Sequence, residues 1–219
     1  MIKNPWLTSA LIAVMLSGCA TTQESSKTLG VNTGVSWQQE KDISALKQAA
    51  EQGDVDAQFY LGVRYANGRG VTQDDAQAVM WYRKAAEQGD AAAQYNLGVR
   101  YDNGRGVIQD DAQAVMWYRK AAEQGHAAAQ YSLGNMYRNG RGIDHDVQQE
   151  VADIQAVVLY SQAAEQGDAD AQNNLGWMYA NGRGVRQDYI QAISWYRKAA
   201  AQGHAQAQKN LNIINDRLR

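Results

Sequence analysis

The chain has 219 residues, with 20 Gly, one Pro and one Cys, and its 21 basic and 23 acidic residues give a net charge of −2. A single cysteine excludes an internal disulfide framework, and a near-neutral charge provides no basic surface for nucleic acid, so we expect no nucleic-acid partner. Abundant alanine and few β-branched residues favour helix over strand.

Residues 1–18 have the pattern of a bacterial export signal. Lys3 supplies a short basic region, and residues 6–17 form a mostly apolar stretch. That stretch is too short to span a bilayer, which takes about 20 helical residues. It ends in Leu16-Ser17-Gly18-Cys19, which resembles the lipobox of bacterial lipoproteins.

The lipobox resemblance implies cleavage before Cys19 and attachment of lipid to its thiol, which would make the membrane a partner of this protein. The alternative is a plain secretory signal with an incidental cysteine. The residue after Cys19 is Ala20 rather than Asp, which resembles the sorting signal of outer-membrane lipoproteins. The body of the protein would then face the periplasm or the cell surface. Residues 19–37 are polar and lack an apolar period, so we predict a flexible tether that reaches roughly 20–25 Å.

The rest of the chain, residues 38–219, repeats itself. Ala-Ala-Glu-Gln-Gly or a one-residue variant of it closes five segments, whose last glycines are Gly53, Gly89, Gly125, Gly167 and Gly203. Asn-Gly-Arg-Gly recurs between them, at 67–70, 103–106, 139–142 and 181–184. Each unit carries two apolar stripes with helical spacing, and a unit cannot bury both alone, so neighbouring units must stack.

Single residues within the units predict where the helices end and how they pack. Asp74, Asp110 and Asp188 lie where a helix N-cap is wanted. Four glycines fall inside the first helix of their units: Gly62, Gly98, Gly134 and Gly176. A mid-helix glycine in every unit predicts a close approach of the partner helix, with Trp81 and its equivalents above the glycines.

The 36-residue period, with Leu-Gly-x-x-Tyr, Asn-Gly-Arg-Gly and Trp-Tyr-x-Lys-Ala-Ala-Glu-Gln-Gly, resembles the Sel-one-like repeat (SLR), a relative of the tetratricopeptide repeat. The resemblance implies an all-α fold. It would be an α/α superhelical solenoid of four full repeats with half-repeat caps, whose concave face is lined by the first helices. The third unit departs from the pattern, because Leu159 replaces the tryptophan and six extra residues at 144–149 predict a protruding loop or a helix extension of one to two turns.

Candidate catalytic and metal-binding residues are few. Ser44-Ala-Leu-Lys47 matches the Ser-x-x-Lys of penicillin-recognising enzymes, but the other motifs of that chemistry are missing, so we predict no enzyme activity. Asp144-His145-Asp146 offers one imidazole and loop carboxylates without a defined geometry, which favours a solvated loop. We therefore expect neither a metal nor a cofactor. His126 and His204 are interpreted as surface residues near helix ends.

An arginine recurs once per repeat, at Arg69, Arg105, Arg141 and Arg183. The simpler interpretation is that each pairs with a nearby carboxylate or with carbonyls at a helix end. The alternative is a row of cations that binds an anion.

The best indication of function lies where the repeats differ. Positions two residues before and after the core leucine share a face beside the apolar stripe, which lines the groove in tetratricopeptide repeats. They carry large apolar side chains in this chain: Phe59, Tyr95, Tyr131, Trp177, Val63 and Val99. Aromatic anchors on a variable surface suit a protein or peptide partner. The alternative is that these rings pack between adjacent helices.

These patterns predict a membrane-anchored scaffold of the bacterial envelope that binds a partner protein or peptide. An envelope assembly factor that binds a glycan, either peptidoglycan or polysaccharide, is the second hypothesis. A β-lactamase-like enzyme is the third.

Overall fold

The computed structural model describes residue 37, residues 42–143 and residues 148–218, and within them the chain forms ten α-helices and no strand. They are α1 (Ile43–Glu51), α2 (Val55–Asn67), α3 (Asp75–Glu87), α4 (Ala91–Asn103), α5 (Asp111–Glu123), α6 (Ala127–Arg138), α7 (Gln149–Glu165), α8 (Ala169–Asn181), α9 (Tyr189–Ala201) and α10 (Ala205–Arg217). Cys19, the export signal, nearly all of the tether and the 144–146 run lie outside the described residues. None of the ten helices is long and apolar enough to cross a membrane.

Each helix packs mainly against its neighbours in the chain. The most extensive contacts join α2 to α3, α4 to α5, α6 to α7 and α8 to α9, so each of these pairs forms a hairpin. Successive hairpins then meet through α3–α4, α5–α6 and α7–α8. Nearest-neighbour packing of this kind is the defining property of a solenoid. The predicted all-α solenoid is therefore confirmed.

The mid-helix glycines lie beneath tyrosines of the second helices. A Cβ atom built on Gly98 would lie 2.6 Å from Cδ1 of Tyr118, and the other three glycines meet Tyr82, Tyr160 and Tyr196 in the same way. The predicted close approach is confirmed, but the prediction that tryptophan makes it is wrong. Trp117 precedes Tyr118 by one residue, which places its side chain about 100° away around the helix. It packs instead against α3 and α4, in the cluster that contains Ala86 and Leu97.

The predicted aspartate caps begin the second helices. Asp74, Asp110 and Asp188 each accept a backbone N–H three residues further on, at 3.0 Å. A single helix lies at each end of the four hairpins. Leu46 of α1 is buried with Leu61, and Ile214 of α10 is buried with Tyr196.

The third repeat contains the longest helix. Helix α7 has 17 residues, whereas α3, α5 and α9 have 13 each. The four additional residues add about one full turn at its start. The apolar stripe of α7 keeps the orientation it has in the other repeats, because Tyr160 lies against Gly134 as Tyr118 lies against Gly98. The start of α7 lacks a side-chain cap, since Gln148 makes no capping hydrogen bond. The insert was predicted to form either a protruding loop or a helix extension, and its described part belongs to the extended start of α7. Residues 144–147 lie outside the described residues.

Candidate binding surface

The first helices of three repeats present a row of aromatic side chains at one equivalent position. Phe59, Tyr95 and Tyr131, here called the aromatic row, are all half-buried. Their ring centroids lie 6.0, 5.8 and 6.1 Å from those of the core tyrosines Tyr82, Tyr118 and Tyr160, respectively. Each ring therefore packs against the core of its own repeat and stays partly exposed. The interpretation as packing residues describes the buried part of each ring, and the role of the rings as anchors for a partner stays a prediction.

Tyr95 is also held by a histidine. Its ring is stacked on His126 with a centroid distance of 4.9 Å. His126 is the N-cap of α6, and its Nδ1 accepts the backbone N–H of Ala129 at 3.3 Å. Burial lowers the pKa of His126, which favours the neutral ring that this acceptor role requires. The prediction that this histidine lies near a helix end is confirmed, but it is half-buried rather than a surface residue.

The remaining predicted site residues occupy the position two residues after the core leucine. Val63 and Val99 are half-buried and pack against the core clusters beside them. Trp177 lies between two guanidinium groups, with Arg138 at 5.7 Å and Arg183 at 5.5 Å from its ring centroid. Cation–π contacts of this kind orient the indole. Trp177 thus belongs to the row of Val63 and Val99, one helical turn from the aromatic row.

Amides replace the apolar side chains toward the C-terminal end of this surface. The Tyr160 hydroxyl donates to Oδ1 of Asn135 at 2.7 Å, and Nδ2 of Asn174 donates to the same atom at 3.1 Å. Burial raises the pKa of Tyr160 to about 12, so its hydroxyl remains a donor at neutral pH. Asn173 stands where the aromatic row has its rings and accepts from Asn210 at 3.0 Å. The surface therefore changes from aromatic to amide along the solenoid.

Three of the four recurring arginines pair with carboxylates of neighbouring elements. Arg141 donates to Asp102 at 2.7 Å and to Oδ2 of Asp111 at 3.0 Å. Arg183 donates to both oxygens of Asp153, at 2.6 and 2.9 Å. Arg105 and Asp75 form a looser pair at 3.4 Å. The simpler interpretation is thereby confirmed for these three arginines, and the row of anion-binding cations is not supported.

Buried glutamines connect the helices, which the sequence analysis missed. Four glutamines of the first helices are at most 5% exposed: Gln58, Gln94, Gln130 and Gln172. The Nε2 atom of Gln94 donates to the carbonyl of Ala86 at 3.1 Å, and its Oε1 accepts from Gln124 at 2.8 Å. The only sequence signal is the recurrence of both glutamines in each repeat, because polar residues in an amphipathic pattern are normally assigned to the surface.

The described residues do not assemble a reactive centre around the motifs singled out above. Ser44 is exposed in the first turn of α1, where its backbone N–H donates to Asp42. The Lys47 ammonium lies over the Tyr65 ring at 5.7 Å from the centroid. No group of three or more His, Cys, Asp or Glu suited to a metal ion occurs in the ranges that the structure describes.

The chain is similar to known helical repeat proteins in sequence and in structure. The family model of the Sel1 repeat matches residues 55–90, 91–126, 127–168 and 169–204. The chain is similar to a protective antigen present in uropathogenic Escherichia coli strains, whose crystal structure displays an SLR fold. The two sequences are 46% identical, and the match has a TM-score of 0.71 and covers 76% of this chain and 34% of the antigen. A Sel1 repeat protein from Oxalobacter formigenes is 38% identical with a TM-score of 0.68 over 75% and 62%, respectively. No curated protein matches the chain.

The fold and the repeating motifs define a helical repeat protein of the α/α solenoid class. The chain belongs to the Sel1 repeat family, since four matched repeats cover more than half of it. It spans about a third of the length of the Escherichia coli antigen and less than two thirds of the Oxalobacter protein. Proteins of this family are generally scaffolds for protein interaction and are typically not enzymes.

Proposed function

We propose that this protein is a membrane-anchored scaffold of the bacterial envelope, which binds a protein or peptide partner on the concave face that carries the aromatic row. The observation that carries the proposal is the half-burial of Phe59, Tyr95 and Tyr131 against the core tyrosines of their repeats. The family's general role in protein interaction supports the class of partner.

The physical argument is one of preorganisation. A free aromatic side chain loses rotamer freedom when it is immobilised by a partner, which costs about 0.5–1.5 kcal/mol for each such side chain. A ring that already rests against a buried tyrosine has lost much of that freedom in the unbound protein. Tyr95 is the clearest case, because Tyr118 and His126 both contact it. The part of the ring that stays exposed can then contact a partner at a low entropic cost.

The membrane anchor rests on the sequence alone. Leu16-Ser17-Gly18-Cys19 supports lipidation at Cys19, and Ala20 supports an outer-membrane location. Several acyl chains on one N-terminus hold a protein stably on a bilayer. Metabolic labelling with a fatty acid tests this part: the wild type is expected to carry label, and Cys19→Ser is expected to carry none. An unmodified mature N-terminus elsewhere in the wild type would refute it.

Site-specific photo-crosslinking in intact cells tests the binding face. A benzoylphenylalanine at position 63 or 99 lies beside the aromatic row, whereas one at position 80 or 190 lies on an exposed site of a second helix. We expect a discrete adduct with one envelope protein from positions 63 and 99 and none from 80 and 190. An adduct from 80 or 190 alone would assign the binding face to the second helices and contradict the proposal.

A further inference from the structure

The third repeat lacks an aromatic side chain that its sister repeats contain. Trp81 and Trp117 are each 6% exposed and wedge between the first helix of their own repeat and the second helix of the preceding one. A lysine one turn later lies over the indole, at 4.1 Å from Lys84 to Trp81 and 4.3 Å from Lys120 to Trp117. In α7 the corresponding residues are Leu159 and Gln162.

A pocket opens where the indole would lie. It has a volume of about 460 Å³, within the range of ligand-binding pockets. Its walls come from α5, α6 and α7, including Ala122, Leu133, Tyr137 and Leu159. These are the equivalents of the helices that enclose the indole in the sister repeats, so the walls are already shaped for a flat aromatic ring.

The mouth of the pocket is unusually apolar. Ile154 and Val158 line it and are 47% and 52% exposed, and Val151 is 46% exposed one turn before. These three residues follow helical spacing along one side of α7. A contiguous apolar stripe around a pocket is typical of an interaction site.

The charge of α7 distinguishes what would bind there. Helix α7 carries no basic residue, whereas α5 has Arg119 and Lys120 at the positions of Ser161 and Gln162. Glu123 adds a carboxylate to the pocket wall. Arg119 also lines the pocket, so the lining carries one acid and one base, and its guanidinium donates to the Tyr137 hydroxyl at 2.7 Å. What the third repeat lacks is the lysine over the indole, because Gln162 stands where Lys120 lies over Trp117. A ligand with a cation next to its aromatic ring would supply that contact.

We propose that this third-repeat pocket binds a tryptophan-like side chain of a partner protein, in a segment with Lys or Arg close after it. The partner would supply what Trp117 and Lys120 supply within the chain at the equivalent site. The inference rests on the proposed function, because it takes the binding partner to be a protein. None of the residues lining the pocket belongs to the aromatic row, so the two sites are tested separately.

The experiment is a titration of the purified full-length chain with the peptide acetyl-Trp-Tyr-Arg-Lys-amide, followed by the methyl NMR signals of Leu133, Val158 and Leu159. We expect saturable shifts of these signals. Replacing the Trp of the peptide with Ala, or its Arg and Lys with Gln, is expected to weaken binding at least about tenfold. An absence of shifts at millimolar peptide, or equal binding of the Ala peptide, would overturn the proposal.

Variants of the chain make the test specific. Leu159→Trp fills the pocket from within, and it is expected to weaken peptide binding at least about tenfold and to raise the melting temperature. Gln208→Trp adds an indole on exposed α10 and is the matched control, expected to bind as the wild type does. Val158→Lys changes an exposed residue and repels the basic peptide, so it tests the site even if Leu159→Trp misfolds. Undiminished binding by Val158→Lys would overturn the proposal.

A further variant separates this site from the aromatic row. Tyr95→Ala with Tyr131→Ala is expected to leave peptide binding unchanged. A loss of peptide binding in that variant would place the peptide on the row and overturn the pocket assignment without weakening the proposed function. Failure of the peptide to bind any form of the chain would likewise refute the pocket alone.

Discussion

Gln124 donates its side-chain Nε2 to Oε1 of Gln94 at 2.8 Å, which joins the end of α5 to the first turn of α4. The same Nε2 reaches the carbonyl of Gly89, and Gln94 donates to the carbonyl of Ala86, so the pair also connects the repeat to the one before it. The recurrent Gln residues of this chain thus have a structural role: they satisfy buried carbonyl groups at each repeat boundary.

Replacement of Gln94 by Leu should destabilise the solenoid. The substitution leaves the carbonyl of Ala86 and the amide of Gln124 without this partner, and an unsatisfied buried polar group costs about 1–3 kcal/mol. Chemical denaturation measures the free energy of unfolding. Gln48→Leu, on the exposed face of α1, is the control and should change it by less than about 0.5 kcal/mol. Equal effects of the two substitutions would show that the glutamine pair contributes nothing.

The arginine pairs should differ in strength according to their burial. Asp153 has a side chain that is 8% exposed, and Arg183 contacts both of its oxygens. Arg183→Met leaves a buried carboxylate and should cost about 3–5 kcal/mol. Arg105→Met removes an ion pair of 3.4 Å whose arginine side chain is 54% exposed, so it should cost less than about 1 kcal/mol. A larger effect at Arg105 than at Arg183 would contradict this ranking.

Gly98→Ala should destabilise the protein although alanine is the better helix former. Its Cβ would lie 2.6 Å from the Tyr118 ring, and overpacking of this kind costs about 1–3 kcal/mol. At an exposed helix position the same change would gain about 1 kcal/mol. Tyr118→Leu in the same chain should relieve the clash, so the double variant should lose less stability than the sum of the two single variants. A raised melting temperature of Gly98→Ala would refute the close contact.

The stability of the protein should decrease as the pH falls below about 6.5, in part because of His126. Burial lowers the pKa of His126 in the folded chain, while in the unfolded chain its pKa keeps the ordinary value of about 6.5. Below that pH the unfolded state binds more protons than the folded state, so acid favours unfolding. The stability that neutral His126 contributes is fully present above pH 6.5. It is lost as the pH falls toward the lower pKa that His126 has in the folded chain.

His126→Asp tests this pH dependence. Asp54, Asp90 and Asp168 cap the equivalent helices, so the variant restores the cap that those helices have. Denaturation at pH 8 and pH 5.5 should show a smaller loss of stability in His126→Asp than in the wild type. The same loss in both proteins would show that His126 is not the group responsible.

The sequence predicted the helices and their ends because those features are set within a few residues. Asp74, Asp110 and Asp188 cap helices through contacts to the next three residues, and local patterns specify such contacts. The repeat period likewise specified the stacking of the units. The sequence did not predict the partial burial of Tyr95 and Tyr131, since a face beside the core stripe is neither wholly inside nor wholly outside.

Other features depend on how repeats meet, which the period alone does not determine. Trp117 and Tyr118 are adjacent in one apolar stripe, and only the crossing of the helices decides which one covers Gly98. Gln94 lies in the first turn of an amphipathic helix, where a polar residue is normally exposed. The pocket at Leu159 likewise depends on how α5, α6 and α7 meet, since all three helices line it.

The affinity of the captured partner for Tyr95→Ala with Tyr131→Ala is the most direct test of the central claim. Binding energy concentrates in a few aromatic anchors, each worth about 2 kcal/mol or more, so the dissociation constant measured by calorimetry should rise at least about a hundredfold. The melting temperature should fall much less than in Trp117→Ala, whose side chain is 6% exposed. The control, Met80→Ala with Ile190→Ala, should bind as the wild type does. Unchanged affinity together with a much lower melting temperature would show that the aromatic row only packs the repeats, and would contradict the account.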